Sequence, residues 1–400
     1  MRLKPILKTS LVAISLLVCM LLSSQSYQVY SNDVLKLYSE QLRDSINLNL
    51  HKPESLGKSG PNIKFPVTII FDSQHKMTYP RIINTFDFLS IDALIPETII
   101  VGVPFNFNNR TYLTSDQRKE GDSLMGIERM ERFLFKELIP KLKSEFKAND
   151  FLMIIGHSRT AFLVNYLLTK QSSNINVAVA LSGFYKEHPL NEGFFEDYLG
   201  NNENFPRPTQ YFITAGTSAE ETSYKTENDA LSTYFSNASI AKNLDLNYST
   251  NAHATHMVNF WMSIPQILLN SYEEYGLIIN NWLFNKLEDA TNEQPIEEFK
   301  SDLTKLNEKL SLNANPSITH IFSFASHYLN TKDYSTAIDF VSLGLDYYPD
   351  YLDFYPLIIE LFQQSNDEKN RNKYIEIYKK KIAADASLSD PEKNNRLKSY

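Results

Sequence analysis

Phe151–Ala161 reads FLMIIGHSRTA, and the fold can be argued outward from it. An apolar run, Phe151 to Ile155, passes straight into Gly156-His157-Ser158-Arg159-Thr160. Phe162, Val164, Leu167 and Leu168 then recur at helical spacing through Thr160–Lys170. A short run this uniformly apolar is a strand covered on both faces, as in a parallel sheet. Similar runs stand at Val67–Phe71, Thr98–Val103, Val177–Leu181 and Gln210–Thr214, with a further candidate strand at Ser45–Leu50. Amphipathic stretches such as Met125–Phe146 separate them. The alternation predicts an α/β layer fold, a mostly parallel sheet with helices on both faces.

A strand, a tight turn carrying serine, and a helix form the context of a nucleophile elbow, G-x-S-x-G. The turn demands small residues on either side of the serine, and it presents the Ser158 hydroxyl at the carboxyl edge of the sheet, near the positive end of a helix. Gly156 fits this pattern, while Thr160 stands where glycine is usual and its β-branch is expected to cost room. The competing reading of the same residues is a plain strand–turn–helix with a capping serine.

A serine hydroxyl needs a base, and in this fold acid and histidine follow the serine in chain order. Asn251–His256 is a polar loop ahead of the apolar helix Val258–Leu269, which makes His256 the expected base and His253 the alternative. An acid that orients the imidazole should end a strand between Ser158 and His256. Gln210–Thr214 is followed by Glu220 and Glu221; Glu220 is the expected acid, with Glu221 close behind. Backbone amides would hold the oxyanion, one at Arg159 and one on the turn after Val67–Phe71, at Ser73.

The chain has 400 residues, with Lys+Arg 39 against Asp+Glu 47 and a net charge of −8, and it lacks the basic block that phosphate backbones require. No nucleic-acid partner is therefore expected. Its one cysteine, Cys19, permits neither an internal disulfide nor a cysteine metal cluster. Arg2, Lys4 and Lys8 precede the apolar run Leu11–Leu22, and small residues follow at Ser24 and Ser26. The run is shorter than the roughly 20 residues of a membrane span, so residues 1–26 are expected to be an export signal, cleaved after Ser26, and the protein periplasmic or secreted. An uncleaved N-terminus would instead anchor it.

Beyond Leu283 the chain reads as charged and then wholly helical. Ala325, Tyr328, Ala337, Gly344 and Pro349 fall at the small, aromatic and proline positions of a tetratricopeptide (TPR) helix pair, and Leu352–Lys380 reads as an eroded second unit. Two units do not make a free solenoid, so the tail should pack on the main domain. The expected organisation is an export signal at 1–26, an α/β-hydrolase domain at 27–285, a helical linker at 286–315 and a TPR-like tail at 316–400.

Several segments together resemble the putative esterase family, the α/β-hydrolase group of esterase D-like and siderophore (enterochelin-type) esterases. Phe65-Pro66-Val67 through Phe71-Asp72 is similar to its "yPVlYllDG" opening. Val101-Gly102-Val103, Asn109-Arg110-Thr111 and Leu113-Thr114 are similar to "VGIxN…R…DLTP", and Glu137–Pro140 to "ELIP". Gly156-His157-Ser158 matches "GHSxGG", and members with a similar helical tail are part of the resemblance. The departures are Ser73 and Thr160-Ala161 in place of glycines, and a shortened "DLTP". The resemblance implies an ester hydrolase working through an acyl-enzyme on a small-molecule ester, without metal or organic cofactor. It also implies a site arginine at Arg110, either clamping an acidic substrate group or bracing the loop. Set against this are a degenerate hydrolase serving as a binding module, with the tail holding a protein partner, and an envelope-anchored scaffold.

Overall fold

The structure is a computed structural model describing residues 33–191, 193–289, 291–398 and 400. The expected export segment, Cys19 included, lies outside the described residues. Residues Val34–Tyr400 form one compact unit.

Eight strands make one sheet: β1 (Asp33–Ser39), β2 (Asp44–His51), β3 (Phe65–Phe71), β4 (Ile99–Val103), β5 (Ala148–His157), β6 (Val177–Leu181), β7 (Thr209–Gly216) and β8 (Leu244–Asn251). Their order is β1-β2-β4-β3-β5-β6-β7-β8. β2 runs antiparallel to β4, and every pairing from β4 across to β8 is parallel. Val67–Phe71, Phe151–Ile155, Val177–Leu181 and Gln210–Thr214 lie on strands of this sheet, as does Thr98–Val103 from Ile99 onward and the candidate strand Ser45–Leu50. β1 and β8 were not foreseen, because edge strands keep one face or one edge polar. β8, LDLNYSTN, is an example.

Crossovers between parallel strands supply most of the helices, and two more follow the last strand, β8. These are α1 (Tyr79–Ile91), α2 (Phe107–Leu113), α3 (Gly126–Arg132), α4 (Ile139–Glu145), α5 (Arg159–Gln171), α6 (Phe194–Gly200), α7 (Thr222–Asn237), α8 (His256–Ser271) and α9 (Glu273–Asn281). A π-helical stretch, Phe133–Leu138, joins α3 to α4. Successive side chains of β5 go to opposite layers. Leu152 and Ile154 pack with Phe162 and Leu163 of α5. Phe151, Met153 and Ile155 pack with Phe86 of α1 and Ile264 and Leu268 of α8. Both faces of the sheet are therefore covered, which is the α/β-hydrolase arrangement.

The C-terminal helices are α10 (Pro295–Leu310), α11 (Ile318–Asn330), α12 (Tyr334–Tyr347), α13 (Phe354–Gln364), α14 (Glu368–Ala384) and α15 (Asp390–Leu397). Phe299, Phe324, Phe340 and Phe354 belong to the same apolar cluster as Ile70, Ile155 and Val179 of the sheet. The segment expected to be a helical linker carries α10, which packs into this cluster. Pro295, Phe299, Leu303 and Leu306 of α10 form a buried stripe that its many charges obscured in the sequence. The tail docks at the amino ends of the strands. Asn149 Nδ2 donates to Leu312 O at 2.8 Å, Asn315 Nδ2 to Lys64 O at 2.7 Å, and Gly60 N to Tyr347 O at 2.7 Å. That is the opposite end of the sheet from Ser158. No helix among the described residues is long and apolar enough to cross a membrane.

Candidate active site

β5 ends at His157 and α5 starts at Arg159, so the chain reverses at Ser158. Ser158 takes φ 58° and ψ −123°, a conformation that costs a non-glycine residue about 1–3 kcal/mol. Its hydroxyl caps no amide of α5, which removes the capping-serine reading. The tightness of the turn falls on Gly156, where a Cβ would lie 2.2 Å from Thr160 O. Thr160 does not crowd the turn as expected. It is fully buried, and its Oγ1 accepts the His157 N–H at 2.9 Å and lies 3.0 Å from Asp72 Oδ2. Ala161, in the second glycine position, has its room from Gly183, whose missing Cβ would sit 2.6 Å from the Ala161 Cβ. Ser73 is accommodated in the same way by Gly102, where a Cβ would lie 2.5 Å from its own.

His256 opens α8, and its Nδ1 is hydrogen-bonded to Glu221 Oε1. Glu221 is fully buried, and its other oxygen accepts Ser182 Oγ–H at 2.6 Å and Gly216 N–H at 2.8 Å. Burial raises the Glu221 pKa, but the bonds from His256, Ser182 and Gly216 outweigh it and leave the carboxyl below its ordinary value. Behind it, Asn259 Nδ2 donates to Ser182 Oγ at 2.7 Å. This backing went unforeseen, since Ser182 and Asn259 carry no motif. Glu220 is the correction: its Oε1 accepts the backbone N–H of His256 at 2.9 Å, so it serves the first turn of α8 and not the imidazole. The two glutamates are consecutive, and only Glu221 turns inward.

The His256 ring lies between two others, 4.3 Å from the His157 ring and 4.8 Å from Tyr224, against which it stacks. His157 Nε2 is 2.9 Å from His256 O. Burial, and then the charge of His256, push the His157 pKa down to about 3, so its neutral ring donates to that carbonyl. The residue preceding Ser158 thus locates the loop that carries His256. His253 is exposed in the preceding turn.

Arg159 reaches across two loops, with Nη1 2.6 and 2.7 Å from the Glu187 oxygens and Nη2 2.9 Å from Thr114 O. Its amide, as the first of α5, has no intrahelical acceptor. Ser73 is a second correction, because its N–H donates to Val103 O at 3.3 Å, continuing the β3–β4 ladder, and is not left for an oxyanion. Arg110 is a third. Its Nε and Nη2 each donate at 2.7 Å to buried Asp72, a bidentate pair that braces the turn after β3 instead of presenting a clamp to a substrate. Among the described residues no group of three or more His, Cys, Asp or Glu side chains has the geometry of a metal site.

The strand opening, the elbow and the histidine loop all fall within residues 39–260, which match the model of the family described as "Putative esterase". The chain belongs to this esterase family. A search of curated proteins found no match. Among solved structures, an IroE-like serine hydrolase from Shewanella oneidensis is similar at 16% identity and a TM-score of 0.63, covering 78% of this chain and 98% of that one. An uncharacterised protein from Capnocytophaga ochracea is similar at 15% identity and a TM-score of 0.56, covering 92% and 99%. Siderophore hydrolase EstA from Aspergillus nidulans is similar at 10% identity and a TM-score of 0.50, covering 62% and 96%. These likenesses establish the fold. For the Capnocytophaga protein, the share of this esterase covered reaches into the C-terminal helices.

Proposed function

We propose that the protein is an exported serine ester hydrolase in which Ser158 attacks, His256 is the base and Glu221 orients it. His256 Nε2 takes the Ser158 proton as Oγ bonds to the ester carbonyl carbon. The carbonyl oxygen becomes an oxyanion facing the Arg159 amide, with the second donor falling to Gln74, the next amide on the turn after β3. Collapse of the tetrahedral adduct releases the alcohol, which takes the proton from His256. Water then enters by the same base and frees the acid from the acyl-enzyme. Throughout, the Glu221 carboxylate stabilises the imidazolium across its Nδ1–H.

The observation that carries this reading is the buried Glu221 carboxylate on His256 Nδ1, in a loop held against the residue preceding a positive-φ serine. The experiment is labelling with a fluorophosphonate probe beside hydrolysis of p-nitrophenyl acetate. Wild type should do both, and Ser158→Ala should abolish both. A protein that does neither is a binding module on a hydrolase fold. Export is tested by N-terminal sequencing of protein recovered outside the cytoplasm, where a start at Tyr27 is expected.

A further inference from the structure

Asp72 opens the turn after β3 at φ 60°, is 3% exposed, and gathers four donors. Arg110 Nε and Nη2 each lie at 2.7 Å, Gln74 Nε2 at 2.9 Å and Thr160 Oγ1 at 3.0 Å. Three of these belong to the segments that shape the β3–β4 side of the site. The fourth belongs to the nucleophile turn. Thr160 Oγ1 carries one proton and has two acceptors within reach, Asp72 Oδ2 and, at 2.9 Å, His157 O. The anionic carboxylate is the stronger acceptor. The lone pairs of the same oxygen take the His157 N–H at 2.9 Å.

We propose that Thr160 is a positioning residue whose hydroxyl ties the Ser158 turn to the turn after β3. The relay runs from the His157 amide through Thr160 Oγ1 to Asp72. It fixes the serine on one strand end relative to the amides on the other. An oxyanion must be reached from both at once, so an error in that spacing costs rate. Glycine at this position could close the turn but could not make the link. The inference rests on the ester hydrolase reading for its effect on turnover, and on geometry alone for the link itself.

Thr160→Val keeps the β-branched shape and removes the hydroxyl, while Thr160→Ser keeps the hydroxyl. Losing a hydrogen bond to a charged group should lower kcat on p-nitrophenyl acetate by about 10- to 100-fold with KM within about twofold, and Thr160→Ser should recover most of it. In amide hydrogen exchange, the His157 N–H should exchange about tenfold faster in Thr160→Val and as in wild type in Thr160→Ser. Should Thr160→Val fail to fold, Thr160→Ala gives the same two readouts. An unchanged kcat in an active enzyme, or an unchanged His157 exchange rate, overturns the proposal. A wild type that neither labels nor hydrolyses refutes the hydrolase reading, and the exchange measurement still decides whether Thr160 makes the link.

Discussion

Glu220 and Glu221 are adjacent residues of one type, and their surroundings give them different work. Glu221 is enclosed by Ser182, Gly216 and His256, while Glu220, in the turn before α7, reaches out to the exposed His256 amide at the start of α8. Glu221→Gln should therefore lower kcat by about 10³- to 10⁴-fold, since an amide cannot stabilise the imidazolium. Glu220→Gln should leave kcat within about threefold and cost at most about 1 kcal/mol in a thermal melt, as for a weakened helix N-terminus. Steady-state rates on both variants decide this, and equal effects would move the acid elsewhere. The sign of the Glu221 shift adds a pH dependence. Its folded pKa lies below the ordinary 4.5, so its contribution to stability is present above that value and is lost as pH falls through the folded value.

At the scale of elements, the interior strands were legible because burial on both faces leaves an unbroken apolar run. β1, DVLKLYS, has every second residue from Val34 to Tyr38 exposed and gives no such run. The packing face of α10 went unremarked for a related reason: its charges dominate the composition while its apolar stripe occupies one face. In the site, Ser158 and His256 were named from a turn motif and chain order. The choice between two neighbouring glutamates was not legible, because it depends on Ser182, 39 residues away, and on how the chain folds back to Gly216. The bracing role of Arg110 depends likewise on Asp72, 38 residues away. In the tail, one small residue stands at a close contact between helices. Gly344 of α12 is where a Cβ would meet Ile321 Cγ2 and Phe354 Cζ at 2.9 Å. Gly344→Ala should destabilise the protein by about 1–3 kcal/mol by overpacking, seen as a lower urea midpoint with kcat unchanged.

Across the whole molecule, the sheet and the tail share one apolar cluster, so calorimetry should give a single unfolding transition. Two buried imidazoles make that transition sensitive to acid. His157, beside Ser158, and His320, in the tail, are both pushed by burial down to about 3 from an ordinary 6.5. Between those values the unfolded chain takes up protons that the folded chain refuses. Stability should then fall as pH drops below 6.5, by up to about 1.4 kcal/mol per pH unit for each ring. A flat midpoint between pH 6.5 and pH 4 would mean that the rings titrate freely in the folded state. Finally, the space for Ser73 comes from Gly102 on β4, and that for Ala161 from Gly183 in the turn after β6. A text pattern that insists on consecutive glycines will overlook chains built like this one. The vacancy such a pattern looks for is a property of three-dimensional neighbours, and a search that lets the missing methyl reside on an adjoining strand would recover them.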